Sequence, residues 1–115
     1  RKSKKKCPNI ILIMSGYVIA QLNLKNKEDY KEYSDKVPKS IASFGGKYLV
    51  RGGEFRHLEG KWDYSRNVVI KFPTYEKAIE WYNSEEYELI KHLRLNNSEG
   101  NLIIIKGDSH DWKIQ

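Results

Sequence analysis

Cysteine and long apolar segments are nearly absent from this chain of 115 residues. The one cysteine, Cys7, cannot form an internal disulfide or a cysteine-based zinc site, and it suits a reducing compartment. We therefore expect a cytoplasmic protein. The longest apolar run, residues 10–14, has five residues, whereas a membrane-spanning helix needs roughly 20. No membrane contact is expected, and a secretory signal is disfavoured because Ser15 and Gly16 interrupt that run.

Recognisable catalytic and metal-binding motifs are missing as well. His57, His92 and His110 do not show the H-x-x-x-H or H-x-E spacing of metal ligands, so no metal site is expected. No Ser–His–Asp order occurs, and the glycine pair at 52–53 lacks the strand–loop–helix context of a phosphate-binding loop. We expect no cofactor, and whether the protein is an enzyme stays open.

Positive charge is concentrated at the start of the chain. The net charge is +6, but residues 1–6 contain five of the 21 basic residues, which leaves 16 basic against 15 acidic residues elsewhere. A nucleic-acid-binding domain usually carries its positive charge on the domain itself, so no nucleic-acid partner is expected. Met14 precedes the first predicted strand as a natural start would. We divide the chain into a basic extension (1–13), one domain (14–108) and a C-terminal tail (109–115).

The first half of the domain predicts a strand followed by a helix. Residues 17–24 alternate as a strand, with a wholly apolar face at the even positions. Asn26 is a helix cap, and a stripe at three- and four-residue steps follows it: Tyr30, Tyr33, Val37, Ile41 and Phe44. Pro38 lies within the stripe and should kink the helix or split it in two. Gly45 and Gly46 end it with a left-handed cap.

The second half predicts three more strands and a second helical segment. Residues 47–51 and 54–59 look like one long bent strand or two short ones, and residues 66–72 like their antiparallel partner after a turn. Thr74 caps a helix with Tyr75, Ala78, Ile79 and Tyr82 on one side, which leaves Trp81 off that stripe. Ser84 caps a further short helix carrying Tyr87, Ile90 and Leu93, and residues 101–106 form the last strand. The order βαββαβ predicts an α+β, ferredoxin-like fold with an antiparallel sheet.

Both faces of the predicted sheet are apolar. In the last strand Leu102 and Ile104 point one way, and Ile103 and Ile105 point the other. Ile19, Leu49 and Val69 also lie on the minority faces of their strands. Two helices can cover only one side of such a sheet, and a bare apolar face is unusual for a soluble monomer. A second copy packed sheet to sheet is the simplest cover, so we expect a homodimer.

Several clusters spread over residues 17–107 match one known family. They are Gly16-Tyr17-Val18-Ile19-Ala20, Tyr30-x-x-Tyr33 before Val37-Pro38, Phe44-Gly45-Gly46-Lys47-Tyr48-Leu49-Val50-Arg51-Gly52-Gly53, Leu58-Glu59-Gly60, Arg66-x-Val68-Val69-Ile70-x-Phe72-Pro73, Trp81-Tyr82-Asn83-Ser84-x-x-Tyr87 and Leu93-Arg94. In these the chain resembles the domain-of-unknown-function family 1330, of the dimeric α/β-barrel superfamily. The resemblance implies a ferredoxin-like subunit that pairs sheet to sheet. It implies no reaction, because the family has none assigned and its superfamily relatives range from cofactor-independent monooxygenases and lactone isomerases to haem enzymes.

Two arginines and one glutamate are the candidates for chemistry. Arg51 precedes the glycine pair and Arg66 lies across the predicted hairpin, so together they could bind a carboxylate or enolate. The alternative is a salt bridge of either arginine with Glu54 or Glu59. Glu59 is the candidate general base if aromatic rings bury it, and otherwise an exposed turn residue.

Three aromatic residues are the candidates for binding a ligand. Trp81, Tyr82 and Tyr87 could form the wall of a pocket for a small planar molecule, or they could simply be core. With Arg51, they are the expected ligand-binding set, and Glu59 and Arg66 are the expected catalytic pair. We expect a homodimer that binds a small anionic organic molecule, with cofactor-free isomerase or monooxygenase activity as one outcome. The alternative is a non-catalytic accessory or stress-response dimer.

Overall fold

A computed structural model describes residues 13–108 as one antiparallel sheet with three helices. The elements are β1 (Gly16–Leu24), α1 (Lys27–Ser43), β2 (Lys47–Arg51), β3 (Arg66–Phe72), α2 (Tyr75–Asn83), α3 (Glu85–Asn97) and β4 (Ser98–Lys106). The strands lie in the spatial order β2-β3-β1-β4, and α2 and α3 together occupy the place of the second helix of a ferredoxin-like fold. The predicted α+β class is confirmed. Residues 1–12 of the predicted extension and the predicted tail lie outside the described residues.

The core face of the sheet includes alternate residues of β1, one of its two central strands. Val18, Ala20 and Leu22 of β1 are all buried, as their period of two predicts. In the two flanking strands Ile70 and Ile104 both lie opposite Val18, so the apolar positions of three strands meet on this face. The helices cover this face, and it positions the cavity described below.

Helix α1 begins and ends as its sequence predicts. The Asn26 side chain accepts from the backbone N–H of Asp29 at 3.1 Å. At the other end Gly45 has a φ of 79°, and the N–H groups of Gly45 and Gly46 close the last turn on the carbonyls of Ala42 and Ile41. Of the two outcomes predicted for Pro38, a kink or a split, the split does not occur, because the helix runs unbroken through that residue.

The predicted strand at residues 54–59 is also wrong, since residues 52–65 form a loop without helix or strand. Strand β2 pairs with β3 only as far as Arg51 opposite Val68, and the N–H of Gly52 then bonds to the carbonyl of Asn67. Because β3 starts only at Arg66, residues 54–59 have no strand beside them to pair with. Gly52 has a φ of 72° and turns the chain away from the sheet.

The buried side of α2 differs from the predicted stripe. Its buried residues are Ala78 and Trp81, whereas Ile79 and Tyr82 are only partly covered. Trp81 packs between helices, because its indole N–H donates to Ser40 Oγ of α1 at 3.0 Å. Helix α3 continues to Asn97, and β4 begins at Ser98, three residues earlier than predicted.

Among residues 13–108, no helix combines the length and the apolar character that crossing a membrane requires.

The opposite side of the sheet, here called the outer face, carries an apolar row that no helix covers. Val50 lies opposite Val69, which lies opposite Ile19, which lies opposite Ile103, so the row crosses all four strands. Ile103 is 49% exposed and Ile105, next on the same side of β4, is 43% exposed. The predicted apolar second face is therefore present in the structure.

Candidate functional site

A small cavity lies between α1 and the core face of the sheet, and three of the six predicted site residues line it. Its volume is about 30 Å³, and Arg51, Arg66 and Trp81 contribute to its wall. Polar groups of Tyr30, Tyr33, Ser34 and Tyr48 complete the lining, together with these apolar residues: Val18, Ala20, Leu22, Val37, Val68, Ile70 and Leu102. The cavity is large enough for about two water molecules or one carboxylate group.

Arg51 is held at the cavity by a carbonyl of α1 that Pro38 leaves free. In a helix the N–H of residue 38 would bond to the carbonyl of Ser34, but proline has no N–H. Arg51 Nη2 donates to this Ser34 carbonyl instead, and also to Ser34 Oγ at 3.0 Å. The guanidinium carbon lies 4.5 Å from the centre of the Tyr48 ring, a cation–π distance. One proline therefore creates the acceptor that orients an arginine of the neighbouring strand.

Arg66 approaches the same cavity from the first residue of β3. Its guanidinium lies where a Cβ at position 52 would be, and the positive φ of residue 52 favours glycine there. The guanidinium carbon lies 5.8 Å from the centre of the Tyr30 ring. The Nε of Arg66 is buried and has no hydrogen-bond partner among the described residues. A buried donor without a partner lowers the stability of the free protein.

The alternative of a salt bridge does not occur in residues 13–108. The ion pairs found there all involve lysines on helices, and neither Arg51 nor Arg66 pairs with Glu54 or Glu59. Glu59 is exposed on the 52–65 loop, and it lines a separate pocket against the outer face. The predicted pairing of Glu59 with Arg66 in one site is therefore not what the structure shows, because the loop folds to the other side of the sheet.

The three predicted aromatic residues pack against each other rather than standing side by side around the cavity. The ring centres of Trp81 and Tyr87 are 4.2 Å apart, and those of Tyr82 and Tyr87 are 5.6 Å apart. Tyr87 is fully buried, and Tyr82 is partly covered by Lys91, whose Nζ lies 4.3 Å from the ring centre. Only Trp81 reaches the cavity. The other two support Trp81 from behind.

A chain of hydrogen bonds that the sequence did not reveal ends at the cavity. Arg94 is buried, with 7% of its surface exposed, and its Nε–H donates to Tyr87 Oη at 3.1 Å. The hydroxyls of Tyr87 and Tyr33 lie 2.8 Å apart. Because Arg94 donates to Tyr87 Oη, the Tyr87 hydroxyl is free to donate the hydrogen bond to Tyr33 Oη, and Tyr33 lines the cavity. Tyr33 looked like an ordinary core residue of the α1 stripe, and nothing in its local sequence distinguishes it.

The polar residues that line the cavity are two arginines, three tyrosines and Ser34. Burial raises the pKa of Tyr30, Tyr33 and Tyr48, so these hydroxyls stay neutral at physiological pH. The cavity lining contains no Asp, Glu, His or Cys, and no group of three such residues in the described part of the chain could hold a metal ion. The arrangement can bind an anion and stabilise an oxyanion, but it offers no carboxylate or imidazole as a base.

A groove on the surface continues the cavity outward. It measures about 220 Å³ and shares Tyr30, Ser34 and Arg66 with the cavity, and its rim carries Lys27 and Lys31. A molecule larger than a carboxylate group could place its charged end in the cavity and its body in this groove.

Comparisons with known proteins identify a family and a fold, but no activity. The model of the family described as Domain of unknown function (DUF1330) matches residues 15–108. No curated protein matches the chain. Among solved structures, one match is RPA0582 from Rhodopseudomonas palustris, a protein of unknown function. It is 18% identical to this chain with a TM-score of 0.63, and the alignment covers 81% of this chain and 82% of the RPA0582 chain. The structure of the methylated RPA0582 protein gives 17% identity and a TM-score of 0.68, with 82% of this chain and 81% of that chain covered. At such identities the similarity shows the fold alone.

Proposed function

The chain belongs to the family Domain of unknown function (DUF1330), and we propose that it works as a homodimer whose subunits each bind a small organic anion between α1 and the sheet. One observation carries the ligand class: Arg51 and Arg66 meet at one cavity without a carboxylate partner among the described residues. We place the protein in the cytoplasm, since a single cysteine suits a reducing compartment.

The homodimer is supported by the apolar row on the outer face. The row Val50, Val69, Ile19 and Ile103 crosses all four strands, and the helices lie on the other side of the sheet. Sheets packed face to face bury such rows in an interface about 10 Å thick. A second copy supplies the same row, so a two-fold axis matches apolar residues with apolar residues.

The anion is supported by the donors that surround the cavity. Two arginines and three neutral tyrosines line it, and Arg66 Nε has no hydrogen-bond partner among the described residues. A carboxylate is planar and accepts two parallel hydrogen bonds, which matches the geometry of a guanidinium. The small cavity limits the buried part of the ligand to about one such group, and the rest extends along the groove toward Lys27.

A cofactor-free isomerase or monooxygenase would use the same donors to stabilise an enolate. Glu59, the predicted base, lies on the outer face, so a reaction here would need a substrate that arrives as an anion or loses its proton to water. The second candidate, a non-catalytic accessory or stress-response dimer, is favoured by the small size of the cavity, about 30 Å³. Ligand binding separates the two candidates.

The experiment compares thermal stabilisation by acids and by neutral analogues. Benzoate, pyruvate, succinate and neutral γ-butyrolactone are added to the wild type and to the variants Arg51→Ala, Arg66→Ala and Arg56→Ala. Arg56 is an exposed arginine outside the cavity, so it is the matched control. A ligand at a hundred times its dissociation constant adds about 2.7 kcal/mol of stability, or a rise of roughly 10 °C in the melting temperature.

We expect at least one acid to stabilise the wild type and Arg56→Ala, but to have little effect on Arg51→Ala and Arg66→Ala. Native mass spectrometry of the same samples measures the dimer and the bound mass. If none of the acids stabilises the protein, or if all three variants respond as the wild type does, the anion site is wrong. In the first case the accessory dimer is the better description.

A further inference from the structure

The loop of residues 52–65 has a definite shape although it contains no helix or strand. Its beginning is tied by the bond from Gly52 N–H to the Asn67 carbonyl at 2.8 Å. Its end is tied to β1, because Asn23 Nδ2 donates to the Asp63 carbonyl at 2.8 Å and Asn23 Oδ1 accepts from the Ser65 N–H at 2.9 Å. Loops of this length without secondary structure of their own are usually functional or disordered, and these bonds favour function.

Apolar side chains of the loop extend the apolar row of the outer face. Phe55 and Trp62 are each 46% exposed and Leu58 is 79% exposed. Together with Val50 and Val69 they surround a pocket of about 540 Å³, which opens on the outer face. Three large apolar side chains this exposed within eight residues mark an interaction surface.

A buried donor in the same pocket lacks a partner. Asn67 points to the outer face, and its Oδ1 accepts from the indole N–H of Trp62 at 3.2 Å. This bond identifies which end of the Asn67 amide is the oxygen. The remaining group, Nδ2, is buried and has no partner among the described residues. A buried donor without a partner lowers the stability of the isolated subunit.

The charges of the loop are complementary to those of a second copy. Glu54, Arg56, Glu59 and Lys61 follow one another with both signs, and none of them forms an ion pair within residues 13–108. If two loops lie antiparallel about a point between His57 and Leu58, Arg56 of one copy faces Glu59 of the other. The same symmetry brings Glu54 opposite Lys61. A strongly acidic or strongly basic partner would match only half of these charges.

We propose that the 52–65 loops of two subunits lie antiparallel against each other and close the two pockets of the outer faces. This inference rests on the proposed homodimer, and it adds the segment that holds the subunits together. The pairing buries Leu58 and Phe55 and brings Arg56 and Glu59 of opposite subunits together. The sheet faces supply the broad apolar contact, and the loops determine which partner is accepted.

The test exchanges charges across the proposed axis and measures the dimer dissociation constant of the full chain by sedimentation equilibrium. Arg56→Glu alone and Glu59→Arg alone each place like charges together at two symmetric positions, so each weakens the dimer by about tenfold. The double variant restores opposite charges and returns the constant to within about twofold of the wild type. Circular dichroism verifies that all variants are folded.

A second pair of variants tests the apolar contact with a matched control. Leu58→Asp weakens the dimer by at least about tenfold, because it places a charge in an apolar contact. Leu89→Asp leaves the constant unchanged, since Leu89 is equally exposed, at 75%, but lies on α3. If the wild type dimerises and these loop variants do not weaken it, the loop proposal is overturned while the sheet-to-sheet dimer stands. A monomeric wild type would overturn the proposed homodimer itself.

Discussion

The bond between Arg51 and the Ser34 carbonyl predicts a measurable coupling between Pro38 and Arg51. Pro38 lacks the N–H that would occupy this carbonyl, and Arg51 Nη2 occupies it instead. In Pro38→Ala the helix supplies its own N–H at that position. Removing Arg51 should therefore cost less stability in the Pro38→Ala background than in the wild type.

Arg51 makes three contacts: hydrogen bonds to the Ser34 carbonyl and to Ser34 Oγ, and a cation–π contact with Tyr48. A hydrogen bond from a charged group contributes roughly 1.5–3 kcal/mol, but Arg51 is exposed and water can replace it, so we take about 1 kcal/mol. The contact with the Tyr48 ring adds roughly 0.5–1 kcal/mol. Arg51→Ala loses all three contacts in the wild type, but only the Ser34 Oγ bond and the ring contact in Pro38→Ala. The expected coupling is about 1 kcal/mol, because the Oγ bond and the ring contact cancel in the cycle.

The assay is urea unfolding of four proteins: the wild type, each single variant and the double variant. The coupling is the difference between the two effects of Arg51→Ala on the free energy of unfolding. Arg56→Ala, measured in both backgrounds, is the control and should show no coupling. Equal losses from Arg51→Ala in both backgrounds would refute the idea that Pro38 frees the Ser34 carbonyl for Arg51.

Two further predictions concern close packing and pH. Gly100→Ala should lower the free energy of unfolding by at least about 2 kcal/mol, because its Cβ would overlap the Gln21 carbonyl of the neighbouring strand. Gly53→Ala, whose Cβ would lie in open space, is the control and should change the free energy of unfolding by less than about 0.5 kcal/mol. Equal melting temperatures for the two variants would contradict this prediction. Burial raises the pKa of Tyr33 above its ordinary value of 10.0. Above pH 10 the hydroxyl ionises in the unfolded chain before it ionises in the folded one, so the free energy of unfolding falls as the pH rises. Tyr33→Phe should therefore reduce the slope of unfolding free energy against pH above 10 by about 1.4 kcal/mol per pH unit, and an unchanged slope would refute the assignment.

Much of the fold follows from local sequence patterns. The alternation in β1, the cap at Asn26, the cap at Ser84 and the left-handed glycine at position 45 each involve residues within a few positions of one another. Such features depend on the backbone geometry of a single element, so the order of the elements could be predicted correctly. The apolar character of both sides of β4 is likewise visible in consecutive residues, because neighbours in a strand point to opposite faces.

The site was predictable only in part. Arg51 and Arg66 were identified because the glycine pair and the hairpin place them near each other. Tyr33 and Arg94 were missed, since a tyrosine in an apolar stripe and an arginine on a helix are ordinary until their hydroxyl and guanidinium groups are seen to be linked through Tyr87. Contacts between residues 54 positions apart, as for Tyr33 and Tyr87, have no local signature.

By itself the sequence determined the α+β order, the termini of the helices and a sheet apolar on both sides, because these depend on short-range periodicity and backbone conformation. Only the tertiary structure decided that Pro38 frees a carbonyl for Arg51, that residues 54–59 leave the sheet, and that Glu59 lies across the sheet from Arg66. Each of these depends on which partner remains available after the strands have paired. That is a property of the whole packed domain, and no single segment carries it.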